Sequence, residues 1–90
     1  MSIELRNNPE LQRVAQACLD YGNPVVCFSW VARPYRTRFG GTFHQSRLAE
    51  LERLGFLAKD GQTSRGGHRR YWRILDPAGL AELLMNCNLS

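Results

Sequence analysis

Apolar positions recur along this chain in two rhythms, one helical and one extended. From Pro9 to Tyr21, Leu11, Val14, Ala15 and Cys18 fall at i, i+3, i+4 and i+7, a single buried stripe on a helix. Asn8 stands at the N-cap position and Pro9 at the first helical position, where a missing N–H costs nothing. Gly22 and Pro24 mark the stop. The same spacing returns near the end, where Leu80, Leu83, Leu84 and Cys87 follow an Asp76 cap and a Pro77 start.

Between these two helices the rhythm changes. The stretch PVVCFSWVA is rich in β-branched and aromatic residues, and Val25 to Phe28 reads as a short buried strand. The following SWVARPYRTRFGG is expected to hold a helix that stops at Gly40. It has two possible starts. Ser29 could cap it, which leaves Pro34 past the first turn, or it could begin at Pro34 and end at Phe39.

A third helix is expected from about Phe43 to Leu54, with Gly55 as its stop. Thr42 and Gln45 have the spacing of a capping box. Leu48, Leu51 and Leu54 share one stripe, with Phe43 and His44 at its margins. The opposite arc holds Thr42, Gln45, Ser46, Ala49 and Arg53, with Glu52 at its edge. Those side chains are mostly short and hydrogen-bonding, unlike the long Glu/Lys pairs of an ordinary solvated helix face. After Gly55, FLAKDG and HRRYWRI read as two strands joined by the turn-rich QTSRGG. In the second strand Trp72 and Ile74 alternate with Tyr71 and Arg73, so one face is expected to bury apolar bulk. Tyr71, Trp72 and Trp30 read as packing residues rather than stacking platforms. No internal repeat or low-complexity segment interrupts the pattern.

The expected architecture is therefore α+β: one domain over residues 1–90, with a three-helix core, a short β-sheet or hairpin and a C-terminal helix. A chain of 90 residues builds a small core and has little room for a large enclosed active site. No apolar run approaches the roughly 20 residues of a membrane-spanning helix. The opening MSIELRNNPE lacks the apolar centre of a signal peptide, which predicts a cytoplasmic chain.

Charge sharpens this picture. The net charge is +4, but it is unevenly spread. From Arg33 to Arg73 there are ten basic and three acidic side chains, a local charge of +7, while the remaining segments carry −3. Eleven of the twelve basic residues are arginine, the side chain suited to bidentate contact with phosphate or guanine. Chemistry other than binding finds little support. Cys18, Cys27 and Cys87 form no C-x-x-C pair and have no histidine at ligand spacing, so reduced thiols and no metal are expected. RGGHRR lacks the spacing of a phosphate-binding loop, and neither a nucleophile–base arrangement nor a carboxylate pair is evident. No catalytic residue and no cofactor is expected.

A tight glycine turn between two helices, the second followed at once by a basic-tipped hairpin, is the winged helix-turn-helix arrangement, whose second helix enters the DNA major groove N-terminus first. SRLAELERLGFL followed by GQTSRGGHRRYWRILDPAGLAELL resembles the PadR-like and MarR-like winged-helix regulators over roughly Gly40 to Leu84. Those families share a leucine-patterned helix ending in Gly-apolar-apolar, then a Gly/Arg-rich wing, an Arg-Tyr strand and a short helix with a small-Gly pair. Where they often carry threonine before the last helix, this chain has Asp76-Pro77.

The resemblance implies double-stranded DNA as partner and a role in transcription regulation. Thr42, His44, Gln45, Ser46 and Arg47 would face the groove, and Arg53 would reach a phosphate or else pair with Glu50 or Glu52. Ser64, Arg65, His68, Arg69 and Arg70 would form a wing over residues 61–70, and Arg36 and Arg38 would contact phosphate. A homodimer through Leu80, Leu83 and Leu84 would supply two half-sites, or these leucines would simply close the core. The alternative is a winged-helix module that docks on another protein, such as a phage or mobile-element product that antagonises a host nucleic-acid-binding complex.

Overall fold

The computed structural model describes residues 3–60 and 70–87. In chain order it contains α1 (Ile3–Arg6), α2 (Pro9–Tyr21), β1 (Val25–Val26), α3 (Phe28–Phe39), α4 (Ser46–Arg53), β2 (Leu57–Asp60), β3 (Tyr71–Ile74) and α5 (Pro77–Asn86). The three strands form one antiparallel sheet in the order β1-β3-β2. The chain is thus a small α+β domain, with helices packed on a three-stranded sheet.

The first and last long helices follow their spacing. Asn8 Oδ1 accepts from the Leu11 N–H at 3.1 Å, and Gly22 closes α2 at φ 84°. In α5 the Asp76 carboxylate accepts from the Gly79 N–H at 3.1 Å. The leucines of α5 are spent inside the chain: Leu80 and Leu84 are 3 % and 1 % exposed, and Leu83 packs partly buried against the core. Of Leu80, Leu83 and Leu84, the leucines expected at a dimer face, Leu80 and Leu84 thus pack within the chain's own core.

Helix α3 starts earlier than either expected start. Cys27, in extended conformation, is its N-cap, and its carbonyl accepts from the N–H groups of Trp30 and Val31 at 3.1 and 3.0 Å. Ser29 Oγ lies 3.4 Å from Cys27 Sγ and caps nothing. Pro34 sits within the helix, removing one backbone hydrogen bond at a cost of about 3 kcal/mol. Tertiary packing outweighs that cost, since the helix carries Val31 and Tyr35 into the core, 0 % and 4 % exposed. Strand β1 is shortened in consequence, because Phe28 belongs to the helix and turns its ring to Phe43 at 5.1 Å between centroids.

The sheet is covered on both faces rather than one. Val26, Leu57, Trp72 and Ile74 join the helical core. On the other face Tyr71 is only 6 % exposed, since Trp30 lies over it at 5.4 Å and stacks in turn on Tyr21 at 5.5 Å. Arg73, on the same face, pairs with Asp60 across the strands at 3.0 Å. Among the described residues no helix is long and apolar enough to cross a membrane.

Candidate nucleic-acid interface

Helix α4 is placed by what precedes and follows it. Gly40 and Gly41 have φ of 77° and 70°, the left-handed region that only glycine enters readily, and together they reverse the chain after α3. Phe43 then drops into the core, 4 % exposed, against Phe28 and Tyr35 with centroids 5.1 and 4.9 Å away. Because that ring is drawn inward, the helix begins at Ser46 rather than Phe43. The Thr42–Gln45 capping box does not form, and Gln45 caps nothing with its side chain. His44 does the capping instead: its Nδ1 accepts from the Ser46 N–H at 3.1 Å and lies 2.9 Å from Ser46 Oγ. His44 is exposed rather than at the core margin. Its engaged Nδ1 leaves Nε2 to carry the proton as a donor.

The far end of α4 closes on a Schellman motif. Phe56 N–H reaches Leu51 O and Gly55 N–H reaches Glu52 O, both at 3.0 Å, with Gly55 at φ 95°. Leu48 and Leu51 are fully buried, and Leu54 is partly so. Glu52 reaches the sheet, accepting from Trp72 Nε1 at 2.9 Å. The helix is thereby fastened on three sides, by leucines to the core, by Glu52 to β3 and by Arg47 to α2.

That last fastening redefines the basic residues. Arg47 Nε donates to Glu10 of α2 at 2.7 Å, and its Nη1 donates to Glu50 at 2.9 Å. Those hydrogen bonds, the Glu10 one foremost, hold the guanidinium above its ordinary pKa. Arg53 approaches Glu50 at 3.8 Å. Arg38 forms a bidentate pair with Asp20 at the end of α2, 2.5 and 3.0 Å, which also raises its pKa. Three arginines assigned by sequence to nucleic acid therefore already face carboxylates, and a phosphate would have to compete with those partners.

Arg36, in the last turn of α3, and Arg33, one turn earlier, are both exposed and make no ion pair among the described residues. Arg70 is exposed immediately before β3. Thr42, Gln45, Ser46 and Ala49 are exposed at the turn and the start of α4. Ser64, Arg65, His68 and Arg69 lie outside the described residues, as does the 61–70 wing apart from Arg70.

Sequence reasoning missed the acids that bind the arginines. Glu10 and Asp20 lie 37 and 18 residues from their partners, a separation that no local pattern reveals. It also left Arg33 out, although its place three residues before Arg36 was a usable signal. Among the described residues no group of three or more His, Cys, Asp or Glu side chains could hold a metal ion. No family model matches the sequence, and no curated protein and no solved structure matches the chain.

Proposed function

We propose that this chain is a winged helix-turn-helix that binds double-stranded DNA, with α4 in the major groove and the segment between β2 and β3 as the wing. The observation that carries the reading is the exposed start of α4. Gln45, Ser46 and Ala49 stand clear of the surface on a helix whose opposite side is clamped by buried leucines. Short side chains there let the helix backbone approach base edges closely. The element order and the β1-β3-β2 sheet order are compatible with a winged helix and support it.

Charge supports it too. Arg33, Arg36 and Arg70 are exposed, and His44 offers an Nε2 donor beside the helix start. The reading includes regulation of transcription by a homodimer on paired half-sites, in a cytoplasmic setting. The test is fluorescence anisotropy of random-sequence duplex at two salt concentrations, comparing wild type with Arg65→Ala/Arg69→Ala. Micromolar binding that weakens steeply with salt is expected, with a log–log slope shallower by about 2 in the double variant. Absence of binding at low salt refutes the reading.

A protein-docking module is the second reading, and one observation favours it. Leu75 and Met85 are 55 % and 80 % exposed, and Leu75, just after β3, lines a groove of about 360 Å³ with Phe56 before β2 and Leu83 of α5.

A further inference from the structure

The arginine-rich sequence suggests a guanine reader, since arginine pairs bidentately with guanine O6 and N7. The side-chain geometry of α4 argues otherwise. Arg47, in the first turn, is occupied by Glu10 and Glu50 at 2.7 and 2.9 Å. Arg53 lies at the opposite end of the helix, with Glu50 at 3.8 Å, whereas a helix entering the groove reads bases with its N-terminal residues. Ser46 Oγ already lies at hydrogen-bonding distance from His44 Nδ1. Gln45 is exposed, and its side chain makes no hydrogen bond among the described residues. It is the long bidentate group at the start of α4 that no partner among the described residues holds.

We infer that α4 reads an A·T-containing core, with Gln45 as the adenine-specifying residue and Ala49 as the contact for a nearby thymine methyl group. This rests on the duplex-DNA reading above. A glutamine amide offers one donor and one acceptor, which match adenine N7 and N6–H₂. Guanine presents two acceptors at the same edge, so the amide cannot satisfy both. Ala49 is exposed four residues on, on the same side of the helix. It lies about 6 Å along the helix axis, within two base-pair steps of about 3.4 Å. Its methyl group suits the thymine C5-methyl in that register. The Arg47–Glu10 pair acts as a positioning contact, fixing the azimuth of α4 so that Gln45 and Ala49 face outward together.

The test is selection from a duplex library with a random core, using the full chain and its Gln45→Ala and Gln45→Arg variants, followed by anisotropy on the selected site. Wild type is expected to enrich adenine at one position and thymine within two base pairs. Replacing that adenine by guanine is expected to weaken wild type roughly five-fold or more and to leave Gln45→Ala unchanged. Gln45→Arg is expected to enrich guanine at the same position. Uracil in place of the thymine removes only the methyl group, and it is expected to weaken wild type but not Ala49→Gly. Because Gln45 is exposed and unbonded, melting of its variants is expected to match wild type. Duplex binding in which Gln45→Ala keeps the wild-type base preference, or in which wild type enriches guanine at the position, overturns the inference and leaves the duplex reading standing. No binding to any duplex at low salt overturns both.

Discussion

Arg47 of α4 reaches Glu10 of α2 across 37 residues of sequence, with Nε 2.7 Å from the carboxylate. Both side chains are about one-third exposed, so solvent screens the pair and its stability contribution is about 1 kcal/mol or less. Its larger consequence is electrostatic, because Glu10 withholds a positive charge from the face that would meet nucleic acid. Glu10→Gln is expected to lower the melting temperature slightly while raising the affinity for random-sequence duplex and steepening its salt dependence. Calorimetry and anisotropy on the same preparation check both. Weaker duplex binding by Glu10→Gln would show that positioning by the pair outweighs the released charge.

Phe43 is the keystone of the turn between α3 and α4, packed on Phe28 and Tyr35 and 4 % exposed. Phe43→Ala is expected to cost about 3–5 kcal/mol, a large fraction of the stability of a domain this size. Urea unfolding measures it, and Phe43→Leu is expected to recover most of the loss.

Glu52 and Trp72 join α4 to β3 through one hydrogen bond of 2.9 Å, and the indole is 2 % exposed. Glu52→Ala leaves the indole N–H buried without its partner, at a cost of about 1–3 kcal/mol. Urea unfolding gives the loss. Glu52→Gln keeps an acceptor and is expected to retain most of the stability.

Burial pushes the Cys18 thiol up from 9.0 to about 12. The folded chain therefore keeps this proton between pH 9 and 12, while the unfolded chain releases it. A folded pKa above the unfolded one means full stability below about pH 9 and a progressive loss as pH rises toward 12. Cys18→Ala is expected to lower stability at pH 7 but to flatten its decline between pH 9 and 11, measured by urea unfolding at each pH. The native thiol is also expected to resist alkylation until the chain unfolds.

Much of the fold was legible because its signals were local. Asn8-Pro9 and Asp76-Pro77 delimit helices by capping chemistry, and the observed helices start at those prolines. Gly40 and Gly55 end helices where the chain needs positive φ. The failures came where a distant contact overrode a local preference. Pro34 argued against a helix through residues 28–39, yet burial of Val31 and Tyr35 carries the helix across it. Thr42 and Gln45 had capping-box spacing, but insertion of Phe43 into the aromatic cluster moved the start of α4 and gave the cap to His44. At the candidate interface, sequence indicated which residues are basic or short. It did not indicate which arginines Glu10 and Asp20 already hold.

The central claim is that the start of α4 and the turn before it form the duplex-binding face. Titrating random-sequence duplex into isotopically labelled protein and following backbone amide resonances tests it most directly. Shifts are expected from Gly41 to Ala49, in the last turn of α3 and across residues 61–70, with Phe56, Leu75 and Leu83 unmoved. Shifts confined to the groove at Phe56, Leu75 and Leu83, or no shifts at low salt, would contradict it.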